Sequence, residues 1–291
     1  MKGRRSEIRR VSILVVAVIF LQFSHVEASW NTIDVPGAIG TRIYGIDGGN
    51  IVGSYSTSSG EHGFLYDGTA WTTLDASGAL DTVVMGIDGT NLVGYYATSG
   101  VYISHNGFLY DGGSWTTINV PNGGSTELYG IDGTNIVGRS NYGSFLYDGT
   151  TMTAIEFPGC YTYACGIDGG NIVGHYWASS KYHGFLYDGT SWTTIDAPGA
   201  AQTNISDIDG NNLVGGYYSG CWHGFVFDGT NWTILDAPSA DNTYAQDIDG
   251  STVVGYYTDA SGDHGFVYVI PEPATLFLLG LGAVVLRKHK K

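Results

Sequence analysis

Hydrophobic residues in this chain come in short runs that fill both faces of a predicted strand and then stop at glycine or aspartate. In the stretch HGFLYDG at residues 183–189, Phe185 and Tyr187 fall on one face and Leu186 on the other, because successive side chains of a strand alternate. A sheet that is apolar on both faces is covered on both sides. The pattern therefore predicts short strands in sheets that pack between two neighbouring sheets.

These runs belong to a repeating unit with four parts. Each unit carries a strand such as WTTID at 192–196, a loop such as APGA at 197–200, a Gly-Ile-Asp-Gly hairpin and a segment such as HGFLYDG. Asp-Gly between strand-like runs is a strong hairpin signal. The units begin at Trp30, Trp71, Trp115, Met152, Trp192 and Trp232, with spacings of 41, 44, 37, 40 and 40 residues. A period of roughly 40 residues with four strands per repeat is typical of β-propeller blades.

The first and last units are incomplete in complementary ways. The strand at 30–34 precedes the first full set of strands, whereas the sixth unit runs HGFVYVI and meets Pro271 before any outer strand. We therefore predict an all-β, six-bladed propeller over residues 29–270, closed by the N-terminal strand, since closure leaves no long open edge. A β-solenoid is the alternative, but its ends would need caps that the sequence does not supply.

The N-terminal segment has the composition of a secretory signal peptide. A basic stretch leads into an apolar run at 11–23, and small residues precede Ser29. We assign residues 1–28 to this signal and predict export. A retained anchor helix is the alternative, which the short apolar run disfavours.

Charge divides the chain into three parts. The net charge is −15, yet residues 30–270 hold only three basic residues, Arg42, Arg139 and Lys181, beside 24 acidic ones, which gives this body −21. Such a body should repel nucleic acid and anionic membrane surfaces, so no nucleic-acid partner is predicted. The 45 glycines and abundant aromatic residues fit strands joined by tight turns.

Two sets of residues raise the possibility of metal binding. Histidine precedes Gly-Phe in four units (His62, His183, His223 and His264), is displaced by one residue at His105, and gives way to Ser144 in the third unit. Capping of a strand or bonding to a neighbouring backbone explains a repeated histidine better than a shared ion does. The aspartates Asp207, Asp209, Asp247 and Asp249 are calcium candidates, against the alternative that each stabilises its own turn. We therefore predict no cofactor, with calcium as the alternative.

The cysteines leave their pairing open. Cys160 and Cys165 flank the short loop CYTYAC and could form a disulfide in an exported protein, which would leave Cys221 alone. No metal-ligand spacing such as C-x-x-C is present.

The sequence favours binding over catalysis. It contains no Gly-x-Ser-x-Gly elbow, no phosphate loop and no Ser-His-Asp spacing outside the repeats. Aromatic residues follow the Val-Gly pairs where strands pass into variable loops, which suits the flat faces of sugars. The candidate ligand-rim aromatics are Tyr96, Trp177, Tyr218 and Tyr257. Packing between blades is the alternative for these side chains, and it is favoured for the first tyrosine of each pair. An extracellular hydrolase or lyase acting on polysaccharide is the alternative function.

The repeat resembles the HAF family of extracellular repeats. The matching residues are Gly45-Ile46-Asp47, Val52-Gly53 and His62-Gly63-Phe64-Leu65-Tyr66, with their echoes through residues 30–268. The chain has Gly where the family's His-Ala-Phe has Ala. The resemblance implies a secreted protein and no particular chemistry.

The C-terminal segment at 271–291 resembles the PEP-CTERM sorting signal. Pro271, Glu272 and Pro273 precede an apolar run at 274–286, which is predicted to form a transmembrane sorting helix, and a basic tail of Arg287, Lys288, Lys290 and Lys291. The resemblance implies processing by an exosortase, transient insertion in the inner membrane of a Gram-negative-type bacterium, and delivery to the cell surface or matrix. It further implies a link to exopolysaccharide and biofilm. A plain tail anchor would explain the helix and charges but not the Pro-Glu-Pro.

Overall fold

A computed structural model describes residues 29–98 and 104–271, and the secondary structure of these residues consists of β-strands. No helix within the described ranges is both long and apolar enough to cross a membrane. The predicted signal peptide at 1–28 and the predicted sorting helix at 274–286 lie outside those ranges.

Six four-stranded antiparallel sheets form the blades of the propeller. From the axis outwards the strands are β2 (Gly40–Asp47), β3 (Asn50–Thr57), β4 (Gly60–Tyr66) and β5 (Trp71–Leu74) in blade 1; β6 (Asp81–Asp88), β7 (Asn91–Ala97), β8 (His105–Tyr110) and β9 (Trp115–Thr117) in blade 2; β10 (Thr126–Asp132), β11 (Asn135–Ser140), β12 (Gly143–Tyr147) and β13 (Met152–Ala154) in blade 3; β14 (Tyr161–Asp168), β15 (Asn171–Ala178), β16 (Lys181–Tyr187) and β17 (Trp192–Ile195) in blade 4; β18 (Gln202–Asp209), β19 (Asn212–Tyr218), β20 (Trp222–Phe227) and β21 (Trp232–Leu235) in blade 5; and β22 (Asn242–Asp249), β23 (Thr252–Asp259), β24 (Gly262–Val269) and β1 (Ser29–Ile33) in blade 6.

The sixth blade takes its outer strand from the other end of the chain. β1 pairs antiparallel with β24 in a register that runs from Ser29 opposite Val269 to Ile33 opposite Gly265. The predicted six-bladed propeller and its closure by the N-terminal strand are both confirmed.

Neighbouring blades pack face to face through apolar side chains. On β3, Ile51 belongs to a cluster with Val254 of blade 6, whereas the adjacent Val52 belongs to a cluster with Val84 and Phe108 of blade 2. Successive side chains of one strand thus serve two different interfaces, as the two apolar faces of the sequence predict.

Every inner strand contains a one-residue bulge near the middle of the channel. The register skips Tyr44, Met85, Tyr129, Cys165, Ser206 and Gln246. Opposite each bulge lies the glycine of a Val-Gly pair, and a Cβ added at Gly174 would stand 1.9 Å from the carbonyl oxygen of Tyr163. The close backbone approach expected at these glycines is therefore present.

The two kinds of Asp-Gly turn use aspartate differently. At the outer turns the side chain bonds its own turn: Asp67 Oδ1 accepts the N–H groups of Thr69 and Ala70, both at 2.8 Å. At the inner turns the side chain bonds the next blade, as where Asp47 Oδ2 accepts Gly89 N–H at 2.7 Å. The same bond joins Asp88 to Gly133, Asp132 to Gly169, Asp168 to Gly210, Asp209 to Gly250 and Asp249 to Gly48. The six inner aspartates thus form a closed ring of inter-blade bonds. For Asp209 and Asp249, the interpretation that each stabilises its own turn was therefore wrong.

All three cysteines are free thiols, so the disulfide that the sequence allowed between Cys160 and Cys165 is absent from the described structure.

Candidate functional site

Side chains on the outer flank of the blades repeat from blade to blade and form a scaffold motif. In blade 1, His62 Nδ1 donates to Asp75 Oδ2 at 2.9 Å, the His62 ring packs on Tyr55, and the Tyr55 hydroxyl lies 2.9 Å from Thr73 Oγ1. The His–Asp pair recurs as His183–Asp196, His223–Asp236 and His264–Asp34. The sequence predicted that each histidine caps a strand or bonds a neighbouring backbone. Its partner is instead the carboxylate of the aspartate that follows the outer strand.

Blades 2 and 3 lack the histidine of this motif at the equivalent position. In blade 2 the histidine position holds Asn106, which bonds Asn119, while the displaced His105 turns towards Glu127. In blade 3 the histidine position holds Gly143, and Ser144 occupies the glycine position instead of the histidine position. Ser144 Oγ donates to Thr162 O and accepts Ala164 N–H, so a side chain is accommodated there through bonds to blade 4.

The four aromatic residues that the sequence predicted at a ligand-binding rim lie in different environments. Tyr96 and Tyr257 occupy the same position in their blades as Tyr55 in blade 1, which we call the scaffold position. Their hydroxyl groups lie 3.1 Å from the hydroxyl groups of Thr117 and Thr32, respectively. Tyr218 is half-buried against Trp222, and Trp177, at 44% exposure, is the one exposed member of the four. Of the Tyr256-Tyr257 pair, it is the first tyrosine that lines the axial cavity.

One position on the second strand of each blade does not repeat. The residue after the Val-Gly pair is Ser54, Tyr95, Arg139, His175, Gly216 or Tyr256, whereas the residue opposite it on the third strand is glycine in five blades and Ser144 in blade 3. Of the six varied residues, His175, Gly216 and Tyr256 line the axial cavity. Scaffold residues recur because every blade must pack, whereas variation at equivalent positions marks where recognition is free to differ. We therefore place the candidate site at the loop-side mouth of the axial channel.

A continuous run of aromatic rings crosses this mouth from rim to axis; we call it the aromatic mouth. Ring centroids are separated by 5.7 Å from Tyr218 to Trp222, 5.8 Å from Trp222 to Tyr244, 4.8 Å from Tyr244 to Tyr256 and 6.0 Å from Tyr256 to Tyr44. Gly216 makes room for it, because an added Cβ would lie 3.3 Å from the Trp222 ring.

A second aromatic cluster stands on blade 4. Trp177 packs on Tyr182 at 4.8 Å, Tyr182 contacts His175 at 5.0 Å, and His175 stacks on Tyr163 at 4.8 Å. Tyr161 and Trp177 face each other across β14 and β15 and are both exposed. The mouth is thus flanked by rings on two sides.

Both arginines of the body lie at the mouth and are paired with acids. Arg42 Nε donates to Asp263 Oδ2 at 2.7 Å, and Arg139 Nε donates to Glu127 Oε2 at 3.0 Å. Glu127 also accepts from His105 and from the Tyr129 hydroxyl. Although burial opposes its ionisation, these hydrogen bonds and the charge of Arg139 lower the pKa of Glu127.

Below the mouth lies an axial cavity of about 510 Å³, whose wall contains a pair of buried aspartates. After the bulge, blades 1 to 4 have glycine at the axis (Gly45, Gly86, Gly130 and Gly166), but blades 5 and 6 have Asp207 and Asp247. Asp247 accepts the N–H groups of Ile46 at 2.8 Å and Ile248 at 2.6 Å.

Burial raises the pKa of both carboxyl groups of the pair. Burial, followed by the charge of Asp247 and a hydrogen bond with it, raises the pKa of Asp207 well above its ordinary value. Burial also raises the pKa of Asp247, but hydrogen bonds from Asp207 and from the Ile46 and Ile248 amides oppose that rise. Asp207 therefore keeps its proton to a higher pH than an ordinary carboxyl group does.

Two further titratable groups of the cavity are neutral. Burial, reinforced by the charge of Arg139, lowers the pKa of His175 to about 3. Burial, with a smaller contribution from Asp207, raises the pKa of the Cys165 thiol to about 12, against the opposing effect of Arg139. Neither group carries charge at neutral pH.

The four calcium candidates fall into two different settings. Asp209 and Asp249 belong to the inter-blade ring, whereas Asp207 and Asp247 form the buried pair. Within residues 29–98 and 104–271, no three or more His, Cys, Asp and Glu side chains are grouped as a metal site would require.

The pair of buried aspartates was not predicted from the sequence, although the sequence contains a feature that indicates it. Asp207 and Asp247 stand where the other four units have glycine in Gly-Ile-Asp, and this departure is visible once the units are superimposed on Ile-Asp-Gly. The Asp-Gly turns beside these residues suggest calcium ligands, whereas the replacement of glycine by aspartate indicates a pair of carboxyl groups at the axis.

Replacing Asp207 by Asn should change the dependence of stability on pH. The native state binds the Asp207 proton more tightly than the unfolded chain does, so its contribution to the free energy of unfolding is full below roughly pH 4 and is lost as pH rises towards the native pKa. The wild-type slope over this range should reach at most about 1.4 kcal/mol per pH unit for one proton, and D207N should flatten it. Urea unfolding at pH 5, 7 and 9 measures the difference, with Asp75→Asn as the control. Identical pH profiles for wild type and D207N would contradict the assignment.

Comparison with known proteins identifies the tail and the fold. Residues 269–291 match the family described as the PEP-CTERM protein-sorting motif. No curated protein matches the chain. Similar solved structures include the β-propeller domain of the Trilobed protease from Pyrococcus furiosus, with an open velcro topology, at 15% identity over 80% of this chain and 81% of that chain and a TM-score of 0.51. This likeness supports the propeller fold alone.

Two other solved structures are more distant in shape. Aleuria aurantia lectin in complex with α-methyl-L-fucoside is 14% identical over 80% of this chain and 96% of that chain, with a TM-score of 0.49. Virginiamycin B lyase from Staphylococcus aureus is 11% identical over 84% of this chain and 100% of that chain, with a TM-score of 0.46.

The sorting motif has a direct consequence for the route of the protein. A C-terminal PEP-CTERM motif implies export, anchoring in the membrane of a Gram-negative-type bacterium, and processing by an exosortase. Of the motif itself, Pro271 is exposed just after β24, while Glu272, Pro273 and the basic tail lie outside the described residues. The resemblance of residues 30–268 to HAF repeats stays a prediction.

Proposed function

We propose that this protein is a non-catalytic glycan-binding module that acts at the cell surface or in the extracellular matrix after exosortase processing. The observation that carries this proposal is the aromatic mouth, a run of five rings at positions where the repeat varies. Association with exopolysaccharide or the biofilm matrix follows as the biological setting of such binding.

The chemistry of the mouth suits a sugar. Aromatic rings offer flat apolar faces for the C–H faces of a pyranose, while Asn204 and Gln246 in the same cavity offer amide donors and acceptors for hydroxyl groups. A cavity of about 510 Å³ lies within the range that encloses small ligands. These features support binding of an oligosaccharide end or loop, not of a flat surface.

The charge of the body restricts the class of glycan. With −21 on residues 30–270, an acidic polysaccharide is repelled unless a divalent cation bridges it to the protein. Neutral and positively charged glycans are therefore the favoured ligands.

Substitution of Trp222 by Ala tests the proposal. Trp222 joins the rim to the axial rings, so its removal should weaken binding to the best ligand on an array of neutral, acidic and amine-bearing oligosaccharides by at least about tenfold. The matched control is Trp115→Ala, which removes a partly exposed tryptophan from the outer strand of blade 2. Unchanged binding by W222A, or an array with no bound glycan, would contradict the proposed site.

One observation favours a hydrolase as the competing function. Cys221 Sγ lies 3.4 Å from His223 Nε2, and His223 Nδ1 lies 2.9 Å from Asp236 Oδ1, which is the order of groups in a nucleophile–base–acid triad. Ser59 and Ser261 make similar contacts with His62 and His264.

The scaffold explanation accounts for these contacts better. The His–Asp pair recurs in blade 4 as His183–Asp196, where the described contacts give the ring no serine or cysteine partner. Ser261 Oγ also donates a hydrogen bond to Asp259 Oδ1 at 2.5 Å. The hydroxyl proton that a nucleophilic serine would transfer to histidine is therefore directed at Asp259. We therefore expect acetate release from an acetylated polysaccharide to be no faster with the wild type than with Cys221→Ala; faster release would establish the hydrolase.

A further inference from the structure

The axial cavity combines many carboxyl groups with a lack of positive charge. Its described lining includes the aspartates Asp47, Asp88, Asp132, Asp168, Asp207, Asp209, Asp247 and Asp249, and it includes neither Lys nor Arg. The one histidine among those residues, His175, is neutral because burial lowers its pKa. A cavity of this composition attracts a cation.

The size and arrangement of the cavity favour an organic cation over a metal ion. About 510 Å³ is far more than a single ion fills, and the six aspartates at the turn side already accept the N–H groups of neighbouring blades. No metal-like grouping of three or more ligands occurs in the ranges that the structure describes. Asp207 and Asp247 are the two carboxyl groups of the described lining that lie outside this ring of turns. Asp247 also accepts the Ile46 and Ile248 N–H groups, but each carboxylate oxygen has a second lone pair for a ligand.

The rings around the cavity already bind cations. The guanidinium of Arg42 lies 5.5 Å from the centroid of Tyr256, and that of Arg139 lies 5.1 Å from the centroid of Tyr163. Tyr44, Tyr129, Tyr244 and Trp222 line the same space. Aromatic faces next to a carboxylate form the environment that best holds an ammonium group.

A hydrogen-bond acceptor in the cavity lacks a partner. Asn204 is on the cavity wall, and its Oδ1 is fully buried with no hydrogen-bond partner among the described residues. A buried acceptor without a donor is costly, so a ligand that donates a hydrogen bond there is favoured.

We propose that the axial cavity binds the ammonium group of an amino sugar, with Asp207 and Asp247 as its counter-ion and Asn204 Oδ1 as a further acceptor. This inference rests on the proposed glycan-binding function and specifies its substrate class. The amine enters through the aromatic mouth, and the adjoining sugar ring lies against Trp222 and Tyr244.

Binding of the ammonium group is linked to a proton. The titratable groups that face Asp207 are Asp247 on β22 and Cys165 on β14, and both Asp207 and Asp247 have raised pKa values. An ammonium group beside the pair favours the ionised form of both acids. Binding should therefore release the proton of Asp207, and the apparent affinity should rise with pH as long as the amine is protonated.

Calorimetry with matched trisaccharides tests the proposal. The probes are the β-1,4-linked trimer of glucosamine, its fully N-acetylated counterpart and spermidine, each titrated into the wild type, Asp207→Asn, Asp247→Asn and the flank control Asp75→Asn. The glucosamine trimer should bind at least about tenfold more tightly than the acetylated trimer, and D207N and D247N should abolish that preference while D75N keeps it. Repeating the titration in two buffers of different ionisation enthalpy should show proton release in the wild type and none in D207N.

The possible outcomes distinguish a failure of the proposed ammonium site from a failure of the proposed glycan-binding function. Equal binding of the two trimers would overturn the ammonium site and leave the glycan-binding function standing. Binding of spermidine without either trimer would overturn both and identify a free polyamine as the ligand. Because Asp207→Asn and Asp247→Asn are examined alongside each other, a folding failure in one variant leaves the other to decide, and thermal melts identify such a failure.

Discussion

Removal of residues 29–35 is expected to lower the melting temperature of the propeller by at least about 10 °C. The deletion strips the outer strand from blade 6, including the ladder from Ser29–Val269 to Ile33–Gly265. Trp30 stacks on Phe266 at 4.5 Å, and its burial alone is worth about 2–3 kcal/mol. For a domain of this size each kcal/mol corresponds to roughly 2–4 °C, so the loss of strand, ring and hydrogen bonds together gives a large shift.

The end of β1 adds polar contacts that the deletion also removes. Asp34 accepts from His264 Nδ1 at 2.8 Å and from Gly265 N–H at 3.2 Å, and Thr32 lies 3.1 Å from the Tyr257 hydroxyl. Without β1, β24 also becomes an open edge that can pair with another chain.

A circular permutant provides the matched control. Because Ser29 lies opposite Val269 in an antiparallel pair, a short Gly/Ser linker can join residue 270 to residue 29, and new termini can be opened between Val35 and Pro36. Differential scanning calorimetry should find the permutant close to the wild type and the deletion well below both. A deletion that melts with the wild type, or a permutant that melts with the deletion, would show that β1 does not stabilise the ring by pairing with β24.

The second large effect concerns the tail. We expect the mature surface protein to lack roughly its last 20 residues, since a terminal targeting signal is removed after it has acted. Pro271 is exposed two residues after the end of β24. Because proline cannot take part in regular strand pairing, the sequence Pro-Glu-Pro predicts an extended segment that a processing enzyme can bind. Glu272→Ala should leave export intact but trap the unprocessed form in the inner membrane.

Intact-mass measurement of surface and membrane fractions decides this prediction. The control is Glu156→Ala, which removes an exposed glutamate from the propeller and should be processed normally. If the surface form still carries Arg287–Lys291, the tail is an ordinary anchor and no processing occurs.

The blade count, the strand identities and the closure were determined by the sequence alone. These features depend on short runs of apolar residues, on Asp-Gly turns and on the period of the repeat, all of which act between residues close together in the chain. Even closure, a contact between Trp30 and Tyr268, was predictable because the missing strand of one unit equals the surplus strand of the other.

Only the tertiary structure decided what the repeated residues do. Asp47 and Asp67 both precede glycine in a hairpin, yet one bonds the next blade and the other its own turn, because only the inner turn approaches a neighbouring blade. Gly216 occupies the position after the Val-Gly pair, so Tyr217 rather than Tyr218 lies opposite His223. Asp207 and Asp247 are 40 residues apart, and they meet because the ring places blades 5 and 6 side by side, so the candidate site exists only in the closed propeller.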